Sequence, residues 1–489
     1  MSNSPERIPV IIGVGEVNDR PDNPDDGLDS AGLMAAALAR ADEDAGGGWL
    51  ADCDVLHVVP QISFAIDVPA ALAALTGLDR AKIVEAPLAS GDSPVRLLND
   101  AANAIGEGSA KIVAITGGEA LRTSARRNGG GTLFKASLAL ATDLRRKYGL
   151  VNPGEIYPLY ENALRPALGQ SLAEGQAESA LIWSKMSQVA QTAQGAWLKQ
   201  PLEPAEIAEV SASNRPIAFP YSKLMVANSS VNQGAAVIVT SLAQARARGI
   251  AEEQLVYIGA GAAAHESEEP LERAEWTNTP SMPVSIGRAL ELNGLSGSDF
   301  DFVELYSCFP CVPKLARRIL GWPADRPVTV HGGLTFGGGP IGNYMTHAIA
   351  AMVRALREQG RYGFLFANGG HCSHNHSIAL MREPPEENPF PQDYHYQQEA
   401  DAARRPIPPL TDAYEGKAAL ETYTVVYGRN GEPDYGVVLS RNRLGARVIA
   451  RVDPLDERSI AFLTDGTAEP VGYQGRHRRE GDMLVWSVD

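Results

Sequence analysis

The sequence predicts an α/β protein with two similar halves, followed by a small antiparallel β domain. Short β-branched segments alternate with Ala/Leu-rich helical segments, as in "RIPVIIGVGE" and "GLDSAGLMAAALARADEDAG", which is typical of a mostly parallel sheet covered by helices. The segments "NDAANAIGEGSAKIVAITGGEA" and "THAIAAMVRALREQGRYGFLFANGG" share a helix, strand and Gly-Gly order, which indicates an internal duplication. Near the C-terminus, "ETYTVVYGRNGEPDYGVVLS" alternates short strands with an Asn-Gly turn, typical of a hairpin.

These segments divide the chain into five predicted regions. The middle of the first half is interrupted by a Gly-rich and helix-rich stretch that we interpret as a loop or cap domain. The second half is followed by a Pro- and charge-rich linker without periodicity. The predicted regions are the N-terminal half at 1–120 and 226–262, the cap at 121–225, the C-terminal half at 275–385, the linker at 386–415, and a barrel-like β domain at 416–489.

Composition and charge exclude several classes of protein. At 489 residues the chain exceeds one ordinary domain, because single cores rarely grow past about 250 to 300 residues. The net charge of -16 repels nucleic acid and anionic lipid over most of the surface. No run of about 18 apolar residues occurs, and the first residues are acidic and Pro-rich, so we expect a cytoplasmic protein without a membrane span. We expect its four cysteines to be reduced thiols.

One local basic cluster stands out against this acidic background. Arg122, Arg126 and Arg127 occur together in "LRTSARRNGGG". A ligand that carries several phosphates would need such a cluster, so these residues are candidates for ligand binding. The alternative is an ordinary solvated helix face.

A Gly-rich stretch, "HGGLTFGGGPIGN", lies between a predicted strand and a long predicted helix. It is not a Gly-x-Gly-x-x-Gly sequence in a first βαβ unit, so a dinucleotide-binding loop is not indicated. His331 and Tyr344 flank the stretch, and either side chain could project into one pocket with it. Both are therefore candidate catalytic residues.

The densest chemical cluster is "NGGHCSHNHS". Alternate residues of a strand point to opposite faces, and no partner pair occurs elsewhere, so we predict no metal site here. His371 or His374 beside Cys372 could form a thiolate–imidazolium pair. The alternative is that both side chains line a pocket or bond to the backbone.

Several motifs, in order, resemble the thiolase superfamily over roughly 7–382. "NDAANAIGEGSAKIVAITGGEA" resembles the end of the nucleophile helix with the strand that follows, and "VANSSVNQGAAVIVTS" resembles an Asn/Gly-rich segment of that family. "VELYSCFP" stands at its Asn-Glu-Ala-Phe or His-Asp-Cys-Phe motif, "GGLTFGGGPIG" at its Gly-His-Pro loop, and "FLFANGGHCSH" at its Cys-x-Gly loop. The additional C-terminal β domain resembles that of type 1 thiolase-like proteins. This resemblance implies two five-stranded βαβαβαββ halves, a duplicated five-layered fold, with a loop domain.

The chain departs from the family at each catalytic position. The nucleophile motif Cys-Gly-Ser-Gly falls on Gly91 to Pro94, Gly339 replaces the base His, and Ala367 replaces the second Cys. We interpret Ser93 before Pro94 as a helix N-cap. At the motif before the Gly-rich stretch, the resemblance assigns Tyr306 to an oxyanion-hole or acid/base position and Cys308 to the Cys of His-Asp-Cys-Phe.

The resemblance implies a protein directed at acyl-CoA or a related thioester, in an acyltransferase family, without the usual Cys/His/Cys set. Whether it is an enzyme stays open. One alternative is a carbon–carbon lyase that cleaves a β-hydroxyacyl-CoA with tyrosines as acid and base; another is a non-catalytic acyl-CoA or lipid binding module. We expect no bound cofactor, either a monomer or a homodimer, and a partner protein as one possible role for the β domain.

Overall fold

The computed structural model describes residues 4–78 and 80–489. Its strands are β1 (Pro9–Asn18), β2 (Val55–Val58), β3 (Lys82–Glu85), β4 (Ile112–Ala120), β5 (Pro216–Ala218), β6 (Tyr221–Ser222), β7 (Asn232–Ser241), β8 (Val256–His265), β9 (Phe302–Leu305), β10 (Tyr362–Gly369), β11 (His374–Met381), β12 (Leu410–Thr411), β13 (Gly416–Tyr427), β14 (Pro433–Arg441), β15 (Arg447–Val452), β16 (Gln474–Glu480) and β17 (Met483–Ser487). Its α-helices are α1 (Ser30–Asp44), α2 (Val68–Thr76), α3 (Ser93–Glu107), α4 (Leu121–Arg127), α5 (Thr132–Leu140), α6 (Asp143–Tyr148), α7 (Pro153–Ala167), α8 (Leu172–Thr192), α9 (Pro204–Ala208), α10 (Leu242–Ala247), α11 (Ser281–Asn293), α12 (Cys311–Leu320), α13 (Tyr344–Glu358), α14 (Gln397–Ala403) and α15 (Glu457–Thr464).

The main sheet joins the two halves of the chain. Its strand order is β3-β2-β4-β7-β1-β8-β11-β10-β9. The halves meet where β1 pairs with β8, through Val10 opposite Tyr257 and Ile11 opposite Val256. In the first half the last strand, β7, lies between β4 and the first strand, β1, and in the second half the last strand, β11, lies between β10 and the first strand, β8, in mirrored order. This symmetry agrees with the predicted duplication.

The second half differs from the expected five strands. Within the described residues it contributes four strands to the sheet, β8, β11, β10 and β9, and β9 is the edge strand. The segment 323–330 beyond this edge is irregular and gives one backbone bond to it, from Leu305 to the Val328 carbonyl oxygen. Pro323 and Pro327 lack the amide hydrogen that a strand ladder needs, which explains why no strand forms there.

Two buried helices, α3 and α13, pack against each other and against strands from both halves of the sheet. Pro94 in the first turn favours the start of α3, and Gly108, with a φ of 73°, ends it in the left-handed conformation. Since the loops at the N-termini of these helices face the ends of β9 and β10, this packing brings the motifs of the two halves together.

The remaining helices and strands form a cap and a barrel. Helices α4 to α9 lie in the cap, where α7 packs against β13 and α8 against the Gly-rich stretch. The strands β13, β14, β15, β17 and β16 close into a five-stranded barrel, because β16 pairs back to β13. No helix of the described residues is both long and apolar enough to cross a bilayer.

Candidate active site

The resemblance predicts the nucleophile position at Gly91, just before α3, and the structure leaves no room for a side chain there. A Cβ atom at Gly91 would lie less than 3.0 Å from both the Asn368 carbonyl oxygen and the Tyr306 hydroxyl oxygen. Non-bonded heavy atoms do not approach so closely. Tyr306 and the end of β10 therefore fill the volume that a cysteine at position 91 would require.

The start of α3 differs from the prediction in one respect. Ser93 is the first helical residue and not the N-cap, which is Asp92. The Ser93 hydroxyl donates instead to the Leu88 carbonyl oxygen over 2.9 Å, and the Ser90 hydroxyl donates to the Asp92 carboxylate. A buried carboxylate thus stands at the positive end of the α3 dipole.

Tyr306 lies directly after β9, where its amide donates to the Phe366 carbonyl oxygen. Burial raises the pKa of Tyr306 well above its ordinary value, and Cys308 and Asp92 raise it further. The phenol is therefore protonated at neutral pH and can donate, but not accept, a proton. The Tyr306 ring meets the Tyr344 ring edge to face, with centroids 6.0 Å apart.

Tyr344, at the start of α13, is paired with a buried carboxyl group. Its hydroxyl donates to Glu304 Oε1 over 2.8 Å, while the Thr329 hydroxyl donates to Oε2 over 2.7 Å. Burial raises the pKa of Glu304 to about 7, although these hydrogen bonds oppose the shift. Glu304 can therefore gain or lose a proton near neutral pH, as a general acid or base requires.

The two candidate cysteines, Cys308 and Cys372, are both buried. Burial raises the pKa of Cys308 to about 12 and that of Cys372 well above its ordinary value. Tyr157 lies beside both thiols, and its hydroxyl accepts from the Cys372 amide over 3.3 Å. Neither residue is a thiolate at neutral pH, so neither resembles an activated nucleophile.

The surroundings of His371 and His374 do not favour the predicted thiolate–imidazolium pair, and His374 Nε2 pairs with Glu268 instead. Burial lowers the pKa of His371 to about 3, and Arg145 and Arg273 lower it further. A neutral ring therefore stands next to a neutral thiol. Cys372 has a φ of 58°, in the left-handed region that is uncommon for residues other than glycine, because its loop turns sharply between β10 and β11.

His331 contacts a group that sequence reasoning missed. Its Nδ1 lies 3.7 Å from Glu16 Oε1, and His347 Nδ1 lies 2.7 Å from the same oxygen. Burial opposes ionisation of Glu16, but His331, the hydrogen bond from His347 and the Arg354 guanidinium lower its pKa below the ordinary range. Burial lowers the pKa of His331 to about 4, so its ring is neutral.

Two sequence signals could have found this group. Glu16 is a carboxylate near the end of an otherwise apolar strand, and such residues are rarely buried without a partner. His347 follows Tyr344 by three residues, which places both on one helix face. Neither signal indicates that Glu16 and His347 are partners, because 331 positions of the chain separate these two residues.

The predicted basic cluster is divided in the structure. Arg126 pairs with Asp25 at 3.8 Å, and Arg127 donates to the Asp25 and Gly27 carbonyl oxygens. Both therefore hold the loop before α1. Arg122 instead lies near the Arg20 guanidinium, whose pKa is lowered by burial and by Arg122.

A cavity of about 480 Å³ adjoins the Gly-rich stretch. Phe336, from that stretch, forms one wall. Apolar side chains of Leu198, Leu202 and Leu224 line it together with Lys199. Lys199 lies in the field of Arg20, and Arg20 stacks on Trp197 at 3.7 Å. The cavity thus combines an apolar wall with a polar one that carries a single cation, Lys199, and two carboxylates, Glu206 and Glu209.

Comparison with known proteins supports the fold and the appended domain. The family described as "Thiolase-like protein type 1 additional C-terminal domain" matches residues 397–482. A monomeric SCP2-thiolase like protein type 1 from Mycobacterium smegmatis superposes with a TM-score of 0.84 at 29% identity over 100% of both chains. The Ltp2-ChsH2(DUF35) aldolase superposes with a TM-score of 0.60 at 18% identity, over 78% of this chain and 99% of that chain.

Among curated proteins, "Acetyl-CoA acetyltransferase 1" of Arabidopsis thaliana is 30% identical over 97 residues. This match covers 19% of the chain and spans only 23% of that relative's length. The fold is therefore that of a thiolase-like protein, which confirms the predicted α/β class. More narrowly, residues 397–482 match the additional C-terminal domain of type 1 thiolase-like proteins, and the whole chain is similar in structure to a protein of that type.

Proposed function

We propose that this protein binds an acyl-CoA thioester without forming a covalent acyl-cysteine. The observation that carries the proposal is the contact between Gly91 and the Tyr306 hydroxyl, which occupies the position of a cysteine nucleophile. The two nearby thiols, Cys308 and Cys372, are neutral because burial raises the pKa of each. Acyl transfer through a cysteine would require a thiolate at one of these positions.

The cavity beside Phe336 supports a thioester ligand of this kind. Its apolar walls suit the pantetheine and acyl portions, and few convergent polar groups are typical of ligand pockets. Lys199 in the lining, with Arg20 near it and Arg122 near Arg20, suits the phosphates of CoA, whereas Glu206 and Glu209 of the same lining repel them, so we expect the phosphates on the Lys199 side. Of the three arginines predicted for this role, Arg122 fits it best.

Calorimetric titration with CoA and acetyl-CoA, followed by intact mass measurement, tests the proposal. We expect binding without an adduct, and about tenfold weaker binding for Lys199→Met, since one charge-assisted contact is lost. Lys185→Met is the control, because Lys185 donates to the Ala324 carbonyl oxygen outside the cavity. Absence of CoA binding, or an acyl adduct on Cys308 or Cys372, would contradict the proposal.

A second candidate function, carbon–carbon lyase, is favoured by the Tyr344–Glu304 pair. Burial raises the pKa of Tyr344 well above its ordinary value, so its hydroxyl acts as a relay: it passes its proton to ionised Glu304 while its oxygen accepts the β-hydroxyl proton of a β-hydroxyacyl-CoA. The bond between Cα and Cβ breaks, which releases an aldehyde or ketone and leaves an enolate. Tyr344 then protonates the enolate at Cα and regains its proton from Glu304, which restores both groups. Tyr306, protonated, donates to the thioester oxygen and stabilises the enolate.

Release of the carbonyl product from a β-hydroxyacyl-CoA tests this candidate. Tyr344→Phe is expected to lower the rate at least about 100-fold, the usual contribution of general acid–base catalysis. The rate is expected to rise with pH through about 7 as Glu304 ionises. Tyr362→Phe is the control, because the Tyr362 hydroxyl lies at the chain surface beside Arg361. A rate that Tyr344→Phe leaves unchanged would exclude this role.

A further inference from the structure

Glu16, His331 and His347, here called the Glu16 cluster, come together from three distant parts of the chain. Glu16 lies on β1, His331 opens the Gly-rich stretch, and His347 lies on the first turns of α13. One ligand-type atom from each lies within 4.8 Å of the other two. The three side chains are at most 3% exposed.

Three of the four histidine ring nitrogens in this cluster lack hydrogen-bond partners among the described residues. Neither Nδ1 nor Nε2 of His331 has a hydrogen-bond partner among the described residues, and the same holds for His347 Nε2. A buried polar atom without a partner costs about 1–3 kcal/mol, and such atoms in folded proteins commonly mark an ion or a water. The cluster therefore offers buried donor atoms that a ligand could satisfy.

Its spacing fits a metal ion better than a water molecule. A zinc-type ion binds His nitrogen and carboxylate oxygen at about 2.0–2.2 Å, which sets neighbouring ligand atoms about 3.3 Å apart. His347 Nδ1 and Glu16 Oε1 are in a direct hydrogen bond at 2.7 Å, and His331 Nδ1 lies 3.7 Å from the same oxygen, so shifts of less than about 1 Å would bring both separations to that value. A bridging water would sit about 2.8 Å from each partner and hold them about 4.5 Å apart.

We propose that the Glu16 cluster binds one divalent metal ion of the zinc class, through Glu16 Oε1 and one nitrogen each of His331 and His347. Two imidazoles and a carboxylate are a donor set that such ions accept, and three protein ligands leave a fourth position for water. The ion would tie β1 to the Gly-rich stretch and to α13. Its site adjoins Tyr344, whose ring lies 5.7 Å from that of His331.

Arg354 decides how tightly the ion binds. Its guanidinium pairs with Glu16 Oε2 and leaves Oε1 to the two histidines. A hydrogen-bonded second oxygen is usual for a ligating carboxylate, yet the guanidinium charge also repels a cation. The Arg354 side chain is 25% exposed, so the charge can be removed by substitution without opening the core. Arg354→Gln is therefore expected to bind the ion more tightly than the natural protein.

Titration of metal-free full-length protein with Zn²⁺ and Co²⁺ tests the site. We expect one ion per chain by calorimetry and elemental analysis, visible Co²⁺ absorption bands, and a Tm about 3 °C higher at a hundredfold excess over Kd. Arg354→Gln is expected to lower Kd about tenfold, and His331→Gln to abolish binding. His477→Gln is the matched control, since both ring nitrogens of that buried histidine also lack partners but, in the described part of the chain, no ligand-type group accompanies them.

Two results would overturn the proposal. One is absence of stoichiometric binding in both the natural protein and Arg354→Gln, which would leave the Glu16 cluster as a hydrogen-bonded charge pair only. The other is binding that His331→Gln retains while circular dichroism reports the native fold, which would place the ion elsewhere. Neither result bears on CoA binding, so this test is independent of the proposed function.

Discussion

A single hydrogen atom at position 91 permits the observed packing at the start of α3. Gly91→Ala places a Cβ atom less than 3.0 Å from the Asn368 carbonyl oxygen and from the Tyr306 hydroxyl oxygen. The backbone oxygen cannot turn aside as a flexible side chain can, so we expect the free energy of unfolding to fall by about 1–3 kcal/mol or more. Urea unfolding followed by circular dichroism measures this loss.

Gly287→Ala is the matched control for that substitution. Gly287 lies in α11, and a Cβ atom added there would have no described neighbour within 4 Å. Alanine favours a helix over glycine by about 0.5–1 kcal/mol, so this variant should be as stable as the natural protein or slightly more stable. If Gly91→Ala also left the free energy of unfolding unchanged, position 91 would have room for a side chain, contrary to the packing described above.

At the scale of elements, a buried ion pair holds α12 to α7. Lys314 Nζ lies 2.5 Å from Glu161 Oε1 and also donates to the Gly175 carbonyl oxygen, and both charged side chains are nearly inaccessible. Lys314→Met leaves Glu161 charged and buried, which we expect to cost about 3–5 kcal/mol of unfolding free energy in urea titrations.

The exposed ion pair of Arg361 and Glu383, at 3.1 Å, is the control for the buried Lys314–Glu161 pair. Arg361→Met should change stability by less than about 1 kcal/mol, because water screens an exposed pair. Equal losses in Lys314→Met and Arg361→Met would mean that the α12–α7 ion pair does not stabilise the fold.

Local sequence predicted the elements better than it predicted the site. The interval chosen for α3, 93–105, nearly equals Ser93–Glu107, because Pro94 and Gly108 are local signals. No strand forms at 323–330 because Pro323 and Pro327 lack an amide hydrogen. These prolines become informative only when a fifth strand is already expected at that position. Contacts such as Gly91 with Tyr306 join residues 215 positions apart along the numbering, and no periodicity encodes them.

At the scale of the whole molecule, buried neutral histidines control stability in acid. Burial strongly lowers the pKa of four of them, to about 4 for His331 and His477 and about 3 for His371 and His376. The unfolded chain binds more protons than the folded one below about 6.5, so stability present above that pH is lost as pH falls towards 4. Glu119 and Glu304, whose pKa values are raised to about 7, have the opposite effect. Between about pH 4.5 and 7 the folded chain binds two more protons at these carboxyl groups than the unfolded chain does, which stabilises the fold as the pH falls.

The net sign follows from these opposing groups. More histidines than carboxyl groups shift, so we expect the free energy of unfolding to fall between about pH 6.5 and 5. Each histidine contributes about 2 kcal/mol over that interval. His477→Gln should reduce the loss of unfolding free energy over this pH interval by about the contribution of one histidine. Glu304→Gln should increase that loss, because it removes an opposing group. A curve that rises on acidification would contradict the assignment of neutral histidines.

Arg447 joins the barrel to the thiolase-like core and sets how the whole molecule unfolds. It is fully buried; its guanidinium binds Glu421 within the barrel and donates to the Leu271 and Arg273 carbonyl oxygens of the core, at 2.9 Å and 2.5 Å. Since these bonds cross between the two parts, we expect the natural protein to unfold in one calorimetric transition. Arg447→Met removes them and leaves Glu421 without its buried partner, so the barrel should open first.

Hydrogen exchange resolves this difference by position. In Arg447→Met, amides of β14 and β15 should exchange earlier than those of β1 and β7, and calorimetry should record two transitions. Arg441→Met is the matched control, because Arg441 pairs with the same Glu421 at 2.8 Å but is 32% exposed and makes no bond to the core among the described residues. If Arg441→Met and Arg447→Met behaved alike, Arg447 would not control the coupling, because the other bonds between barrel and core, such as those from Asn162 to the Tyr423 carbonyl oxygen and from Thr422 to the Leu159 carbonyl oxygen, would then suffice for one cooperative unit.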